Sequence, residues 1–211
     1  MSDQVLRLDA FRCLRPAYDD LLRRELVPDL LGMSGLLDAY CARQGPDDAG
    51  PRLVATVWSA EAAMMAAMGT GFGAAHPDHV EATADHRAEL VPLLLGRRYL
   101  RDAVPLIVRV LRGRVRPGEL ASYAEDVRRG ALADAERDDG PVAVYLGAVP
   151  GRGPEAFLTL SAWRRWTDIE AATGGDVHRP RATRRPERLV DWDVEHFEVV
   201  AAPAVGGVAA P

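Results

Sequence analysis

Apolar residues along the chain fall into short runs that predict strands, and in two places such a run is followed by a stretch with helical spacing. The run Arg52-Leu-Val-Ala-Thr-Val-Trp58 predicts a strand that ends at a tryptophan and turns directly into a helix over Ser59–Met68. Ala156–Trp163 predicts a second strand that ends at a tryptophan, and Arg164–Thr173 again has a helical pattern. The same local order of strand, tryptophan and helix therefore occurs twice.

The two tryptophans are 105 positions apart (163 − 58), and four further pairs of glycine or tyrosine share this offset. These pairs are Tyr18 and Tyr123, Gly35 and Gly140, Tyr40 and Tyr145, and Gly69 and Gly174. Five coincidences of these residue types in one register indicate an internal repeat, which decides the fold before any local assignment does. We therefore interpret the chain as two copies of one unit, over residues 1–104 and 105–200.

The predicted elements follow the same order in both copies. In the first copy they are a strand over Val5–Phe11, a helix that Arg15-Pro16 opens and Pro28 kinks or ends, strands over Leu36–Arg43 and Arg52–Trp58, a helix over Ser59–Met68, a further helix over Val80–Leu95, and a fourth strand between Arg98 and Val104. In the second copy they are a strand over Pro105–Leu111, a helix from Arg116-Pro117, strands over Pro141–Val149 and Ala156–Trp163, a helix over Trp166–Thr173, and a strand over Asp193–Val200. Residues 201–211 are small, apolar and rich in Gly and Pro, and predict a disordered tail.

Each copy is predicted to have the order β-α-β-β-α-β, which is the ferredoxin-like arrangement. Such a unit has a four-stranded sheet with helices on one face, so the other face must be covered. A tandem copy provides that cover. The predicted fold class is therefore α+β, with two tandem ferredoxin-like (βαββαβ) units forming an intrachain pseudo-dimeric α/β barrel.

Composition and charge narrow the classes of function. The chain has 211 residues, 48% of them hydrophobic and 27% charged, as in an ordinary globular protein. Its net charge of −5 argues against a general nucleic-acid-binding protein, which normally has a basic face. The sequence has neither a signal-peptide pattern nor the roughly 20 apolar residues of a membrane span, so we expect a cytoplasmic protein. Cys13 and Cys41 are then expected to be free thiols.

The order of Pro, Gly, Trp and His residues in the first copy resembles that of a known family. Leu26-Val-Pro28, Gly35-Leu36, Thr56-Val-Trp58-Ser-Ala-Glu-Ala and the segment from Gly69 to His79 are similar to the antibiotic-biosynthesis-monooxygenase-like group of dimeric α/β-barrel proteins. The match covers most of the first copy and, more weakly, the second. Members usually dimerise from single units, so the resemblance implies a pseudo-dimer within one chain, in a tandem form similar to the angucycline ring-opening oxygenases.

The resemblance implies three kinds of activity: metal-free oxidation of polycyclic aromatic polyketides, haem degradation, and ring opening or contraction with reduced flavin. The haem-degrading pattern has an Asn on the first strand, where Val5–Phe11 offers only Arg7 and Asp9 as polar candidates. It also has a Trp within the second helix, where this chain has Ala66-Ala67. These two departures disfavour haem.

Histidines after the glycine-rich loop Gly69–Gly73 are the candidate bases. His76 and His79 follow this loop, and His86 comes seven residues later. A histidine can accept a phenolic proton because its pKa lies near neutrality, and the resemblance places His76 or His79 at the mouth of a cleft. Solvated loop histidines are the alternative interpretation. A metal site would need all three histidines to converge, and we expect no metal.

Aromatic residues are the candidate substrate contacts. Trp58 and Trp163 could stack on a planar ligand, or they could anchor the core where strand meets helix. Tyr40 and Tyr145 could hydrogen-bond a substrate carbonyl, although half-buried strand tyrosines are common. Phe72, in the glycine-rich loop, is a further candidate contact. The loop itself follows a helix and does not lead from a strand into one, so we do not interpret it as a dinucleotide-binding motif.

An arginine-rich segment precedes the last predicted strand. It could hold a flavin phosphate or an anionic substrate, or it could be a solvated loop. Its members are Arg179, Arg181, Arg184, Arg185 and Arg188.

The leading hypothesis is an oxygenase of antibiotic biosynthesis that acts on a polycyclic aromatic phenol or hydroquinone of polyketide type. The pocket is predicted in the first copy, where His76 or His79 would deprotonate the substrate before it meets O2, directly or as a flavin hydroperoxide. We expect no tightly bound cofactor, or reduced flavin (FAD or FMN) as a co-substrate supplied by a flavin reductase. The expected partners are a small aromatic substrate and O2, without nucleic acid or membrane, and a homodimer is left open. The alternatives are a non-catalytic small-molecule-binding or stress-response barrel, and a haem-binding or haem-degrading protein.

Overall fold

The computed structural model describes residues 3–15, 18–45, 50–68, 82–99, 104–133, 135, 140–181 and 185–202. The strands are β1 (Val5–Cys13), β2 (Leu36–Arg43), β3 (Pro51–Trp58), β4 (Thr83–Arg98), β5 (Ile107–Val115), β6 (Ala143–Ala148), β7 (Ala156–Trp163) and β8 (Leu189–Ala201). The helices are α1 (Tyr18–Leu21), a π-helical segment (Leu22–Leu26), α2 (Val27–Leu31), α3 (Glu61–Met68), α4 (Leu120–Val127), a second π-helical segment (Arg128–Leu132) and α5 (Trp166–Thr173). A short 3₁₀ helix (Pro186–Arg188) precedes β8.

The chain forms two compact units, the first from residues 3–90 and the end of the chain from Phe197, and the second from residues 91–196. The strand order is β4-β1-β3-β2-β8 in the first unit and β8-β5-β7-β6-β4 in the second. In both orders the fourth, first, third and second strands of a copy are neighbours, as in a ferredoxin-like sheet, and one edge strand is added. The predicted α+β class with two βαββαβ copies is confirmed.

The sequence places the boundary between the copies at residues 104 and 105, whereas the compact units divide after Leu90 and after His196. Strands β4 and β8, of 16 and 13 residues, cross these divisions. Residues 83–90 of β4 and 197–201 of β8 belong to the first unit, and residues 91–98 and 189–196 belong to the second. Of the predicted tail, Ala201 ends β8, and residues 203–211 lie outside the described part.

The helix predicted over Val80–Leu95 is wrong, and so is the position of the fourth strand between Arg98 and Val104. Strand β4 occupies Thr83–Arg98. Its buried side chains alternate in the second half, where Val91, Leu93 and Leu95 are buried. Pro92 cannot occupy a helix interior without loss of a hydrogen bond, and it is tolerated in a strand whose amide is not needed by the ladder.

Pro28 does not end the first helix. The π-helical segment precedes it, and Pro28 then lies in the first turn of α2, where no intrahelical partner is needed for its nitrogen. Helical backbone therefore runs from Tyr18 to Leu31, and its buried side chains, among them Tyr18, Leu22 and Leu26, pack on the first sheet.

The strand ladders align the two copies residue by residue. Val5 lies opposite Trp58 in the β1–β3 ladder, and Ile107 lies opposite Trp163 in the β5–β7 ladder. The first strands are thus offset by 102 positions (107 − 5), while the third strands keep the offset of 105 (163 − 58). The distance from the first strand to the aligned tyrosine accounts for the difference: 13 positions separate Val5 from Tyr18, and 16 separate Ile107 from Tyr123.

We expect Gly147→Ala to destabilise the protein because β4 lies directly against this position. A Cβ atom at Gly147 would lie 2.4 Å from Cγ1 of Val91 and 2.5 Å from the backbone oxygen of Pro92, which cannot rotate away. The expected loss is about 1–3 kcal/mol in the free energy of unfolding, measured by urea denaturation. Gly130→Ala is the control, because a Cβ atom there meets nothing within 4 Å in a helical segment, and we expect it to be neutral or slightly stabilising. Equal stability of the two variants would contradict the close approach of β4.

Candidate functional site

Trp58 and Trp163 occupy equivalent, buried positions on the helix-facing sides of the two sheets. Trp58 packs in the core formed with α1, α2 and α3, and Trp163 packs with Ile169 of α5. Each indole N–H donates to the hydroxyl two residues earlier on the strand, Thr56 Oγ1 at 2.9 Å and Ser161 Oγ at 2.8 Å. This shared hydrogen bond explains why both copies have a hydroxyl residue two positions before the tryptophan.

Tyr40 and Tyr145 lie on the opposite faces of the two sheets from the tryptophans. Tyr40 is paired with Ala55 and Tyr145 with Leu160, in each case three positions before the tryptophan, and side chains alternate along a strand. Both tyrosines are buried, and the hydroxyl of Tyr40 donates to the carboxylate of Asp38. The predicted substrate contacts are therefore not brought together on one face.

The predicted residues His76, His79 and Phe72 lie outside the described residues, and their roles stay predictions. His86 lies on β4, where its ring stacks on Phe11 with centroids 6.0 Å apart. Its Nε2 is 3.4 Å from Oδ1 of Asp9, and about a third of its side chain is exposed (34%).

Arg7 and Asp9 form a buried ion pair on the helix-facing side of the first sheet. Arg7 donates through Nε and Nη2 to the two carboxylate oxygens of Asp9, at 2.8 and 2.9 Å. The side chains are 6% and 0% exposed, so the pair is held out of water. Two parallel hydrogen bonds between a guanidinium and a carboxylate are the strong geometry for such a pair. Arg7 lies opposite Thr56 in the β1–β3 ladder, next to the site of Trp58.

A cavity of about 300 Å³, here called the α4 cavity, lies in the second unit between the sheet and helix α4. Its apolar wall includes Leu111, Val127 and Val144. Its aromatic and polar wall is formed by Arg109, Tyr123, Thr159, Ser161, Trp163 and Arg181. The size and the mixture of apolar surface with a few polar groups are typical of a small-molecule site.

Arg109 is the second unit's counterpart of Arg7. It lies opposite Ser161 in the β5–β7 ladder, as Arg7 lies opposite Thr56. Its guanidinium donates to the backbone oxygens of Val177, at 3.4 Å, and of Arg179, at 2.5 Å. Burial lowers the pKa of Arg109 to about 10. The sequence contained a signal for this residue, because both copies have an arginine near the start of the first strand. The repeat register of 105 positions did not align Arg7 with Arg109.

The arginine-rich segment before β8 is divided among several roles. Arg181 lines the α4 cavity. Arg188 pairs with Glu119 at 3.0 Å and with Asp126 at 2.5 Å, which holds the segment against α4. Arg179 pairs with Asp176 at the surface, and Arg184 lies outside the described residues. Among the described residues of the segment, Arg181 reaches the candidate site and Arg188 is structural.

His196, on β8, lies in a cluster with His178 and Trp166. The His196 ring is 5.4 Å from that of His178 and 5.0 Å from that of Trp166, centroid to centroid. Burial, followed by the charge of Arg109 and the presence of His178, lowers the pKa of His196 to about 4. Its Nε2 is buried and has no hydrogen-bond partner in the part of the chain described. His196 is thus neutral at neutral pH.

Several further features limit the chemistry of the described residues. Cys13 and Cys41 are buried free thiols, as expected. Within the described ranges, no group of three or more His, Cys, Asp or Glu side chains is arranged to hold a metal ion. None of the helices in those ranges is both long and apolar enough to cross a membrane.

Comparison with known proteins shows the fold. No protein-family model and no curated protein matches the sequence. Among solved structures, a proposed monooxygenase of Fusobacterium nucleatum subsp. nucleatum ATCC 25586 is similar with a TM-score of 0.75 at 12% identity, over 98% of this chain and 97% of that one. An anthrone oxidase-like protein is similar with a TM-score of 0.57 at 14% identity, over 99% and 97% of the two chains.

A single-residue variant of chlorite dismutase from Candidatus Nitrospira defluvii is similar with a TM-score of 0.57 at 11% identity, over 94% of this chain and 92% of that one. All three matches extend over nearly whole chains, so both copies are included. The resemblance to the dimeric α/β-barrel group is therefore confirmed for the fold, and at these identities the matches assign no substrate.

We expect Asp9→Asn to destabilise the first unit strongly, because it leaves the Arg7 charge buried without its carboxylate. Loss of one member of a buried pair costs about 3–5 kcal/mol, measurable as a lower free energy of unfolding in urea. Asp20→Asn is the control, since Asp20 pairs with Arg23 at 3.3 Å on the surface, where about 0–1 kcal/mol is expected. Similar losses in the two variants would show that the buried pair contributes no more than a surface pair.

We also expect acid to destabilise the protein through His196. Its folded-state pKa of about 4 lies below its ordinary value of 6.5, so the unfolded chain binds the proton first as the pH falls. The stability that depends on neutral His196 is complete above pH 6.5 and is lost between pH 6.5 and about 4. His196→Asn should therefore show a smaller decline in unfolding free energy over this range than the unmodified protein. Equal declines would mean that His196 is not the group concerned.

Proposed function

We propose that the chain is an oxygenase that oxidises a planar phenol or hydroquinone with O2 in the α4 cavity. The observation that carries this proposal is the cavity itself, which combines an indole, three hydroxyl groups and apolar side chains between sheet and helix. The fold is one that the chain shares with a proposed monooxygenase and an anthrone oxidase-like protein. A polycyclic aromatic of polyketide type, from antibiotic biosynthesis, is the substrate we propose.

The cavity wall suits a flat aromatic molecule with oxygen substituents. Leu111, Val127 and Val144 supply apolar surface, and Trp163 supplies a large aromatic side chain. Ser161 accepts the Trp163 indole N–H, so its own hydroxyl hydrogen is free to be donated to a ligand oxygen. In this arrangement Trp163 is held rigidly by the hydrogen bond, and Ser161 faces the substrate oxygen.

The proposed reaction balances without a further reductant. In a phenol the ring carbon para to the hydroxyl, and in a hydroquinone a ring carbon that bears hydrogen, loses its hydrogen and gains one oxygen atom of O2. The second oxygen atom leaves as water, with that hydrogen and the phenolic hydrogen, and the product is a quinone. The side chains of this site bind and orient the phenol, exclude bulk water and stabilise negative charge on the phenolic oxygen.

We propose that no cofactor is tightly bound. Reduced flavin, supplied by a flavin reductase, is the alternative; it would provide the two electrons that convert the second oxygen atom to water, and the product would then be the hydroquinone and not the quinone. Haem does not fit the α4 cavity. Among the described lining residues there is no His, Cys or Met to ligate iron, and burial raises the pKa of Tyr123, which disfavours the tyrosinate form.

A reaction centre in the first copy, with His76 or His79 as the base, is the second candidate. The Trp58 and Thr56 pair in that copy has the same geometry as Trp163 and Ser161. The repeat therefore provides a matched pair of variants that distinguishes the two locations.

We expect Ser161→Ala to lower kcat/KM by about tenfold or more, while Thr56→Ala leaves it nearly unchanged. Both substitutions remove the acceptor of a tryptophan N–H, so their cost in stability is similar, but only Ser161 lines the α4 cavity. Activity is measured by O2 uptake and quinone absorbance on naphthols and hydroxyanthrones, with one O2 consumed per quinone and no hydrogen peroxide released.

Loss of activity in Thr56→Ala alone would move the reaction to the first copy, and His76→Ala and His79→Ala would then identify the base. Absence of O2 uptake with every phenol, with and without a reduced flavin supply, would contradict the oxygenase proposal and leave the binding-protein interpretation.

A further inference from the structure

We propose that the α4 cavity takes its substrate as an organic anion, an acidic planar phenol bound as its phenolate, and that Arg109 recognises the charge. This inference rests on the proposed function for the location of the site, and it adds the ionisation state of the ligand and the residue that selects it. Its basis is a difference between two arginines that occupy the same place in the two copies.

The two arginines occupy equivalent positions in the two copies. Arg7 lies opposite Thr56 on β3, and Arg109 lies opposite Ser161 on β7. Thr56 and Ser161 are in turn the acceptors of the two tryptophan N–H groups. Both arginines are 5% exposed, so each holds a positive charge away from water.

The residue two positions after the arginine on the same strand differs between the two copies. In the first copy this residue is Asp9, whose carboxylate binds the Arg7 guanidinium through two hydrogen bonds. In the second copy it is Leu111, which lines the α4 cavity. The carboxylate that neutralises the arginine in one copy is therefore replaced by an apolar wall in the other.

Arg109 has hydrogen-bond partners of a different kind from those of Arg7. Its donors reach the backbone oxygens of Val177 and Arg179, and no carboxylate of the described residues bonds to it. Carbonyl dipoles satisfy hydrogen bonds but carry no net charge. A buried charge without a counter-charge is unfavourable in a protein interior, and an anionic ligand in the adjacent cavity would offset this cost.

The other charged side chains on the described cavity wall also bear on the charge of the ligand. Among the described lining residues the charged groups are Arg109, Arg129, Arg181 and Asp126. Asp126 already accepts from Arg188, and Arg129 from the helix surface pairs with Glu125. The cavity therefore favours an anion, with Arg109 as the buried contact.

The chemical consequence concerns the oxidation itself. A guanidinium beside the phenolic oxygen in a water-poor cavity stabilises the phenolate over the phenol, so the proton leaves to solvent on binding. The phenolate is the electron-rich form that reacts with O2. The proton released on binding is taken up again when water is formed. A strong base in the cavity is then unnecessary.

The test uses 4-nitro-1-naphthol, whose phenolate has its own visible absorbance band, titrated with the full-length protein under nitrogen at a pH where the free probe is mainly protonated. We expect binding to produce the phenolate band. We expect Arg109→Gln to weaken binding about ten- to hundredfold and to abolish the band. Arg114→Gln is the control, because it removes one positive charge from the same strand at an exposed position paired with Asp191, and it should behave as the unmodified protein.

A second pair of variants tests the effect of introducing the first copy's carboxylate into the second copy. Leu111→Asp places a carboxylate where Asp9 stands in the first copy, and it should compete with the probe for Arg109. Leu111→Asn has the same size without the charge and should retain more binding. Each variant is first checked for a cooperative unfolding transition.

Three results would overturn the proposal: an unchanged phenolate band in Arg109→Gln, equal loss in Leu111→Asp and Leu111→Asn, or equal affinity for the neutral methyl ether of the probe. Because the titration excludes O2, phenolate binding without any later O2 uptake would retain the anion site and refute only the oxygenase proposal.

Discussion

A guanidinium group that is held out of water is stabilised by negative charge nearby, and the two halves of an otherwise repeated chain differ in whether they supply it. In the first copy the negative charge is supplied inside the protein, where Arg7 binds Asp9 in a fully buried pair. In the second copy Arg109 meets backbone oxygens and the wall of a cavity. One arginine is therefore part of a closed ion pair, while the other lines a cavity, where we propose that it binds an anionic ligand.

The strand ladders create this arrangement because they fix which side chains share a face. The same register that places each tryptophan beside a hydroxyl residue also places each arginine opposite that hydroxyl. The tyrosines Tyr40 and Tyr145 fall on the other face for the same reason. A substrate between sheet and helix in the second unit would then meet Trp163, Ser161 and Arg109 together, a combination that supports recognition of an oxygenated aromatic ring.

Duplication within one chain permits the two copies to differ in this way. Two identical subunits must have identical sites, whereas two copies in one chain can change independently. Here the change from aspartate to leucine, at positions 9 and 111, separates a closed ion pair from an open cavity wall. Under the proposed function, substrate binding and structural support belong to different copies of one fold, and fold similarity alone does not reveal such a difference.

The sequence by itself determined the repeat, the fold class, the bounds of β2, β7 and α5, and the two tryptophans as equivalent positions, because local periodicity and a shared register encode them. It did not predict β4, whose extended form depends on pairing with distant strands that a local helical pattern cannot report. Nor did it identify Arg109 as a candidate, since an arginine on a strand is ordinary until its neighbours are known. Only the tertiary structure decided that Asp9 neutralises Arg7 while Arg109 lines a cavity, because the compensation of a charge depends on distance in space and on exclusion of water.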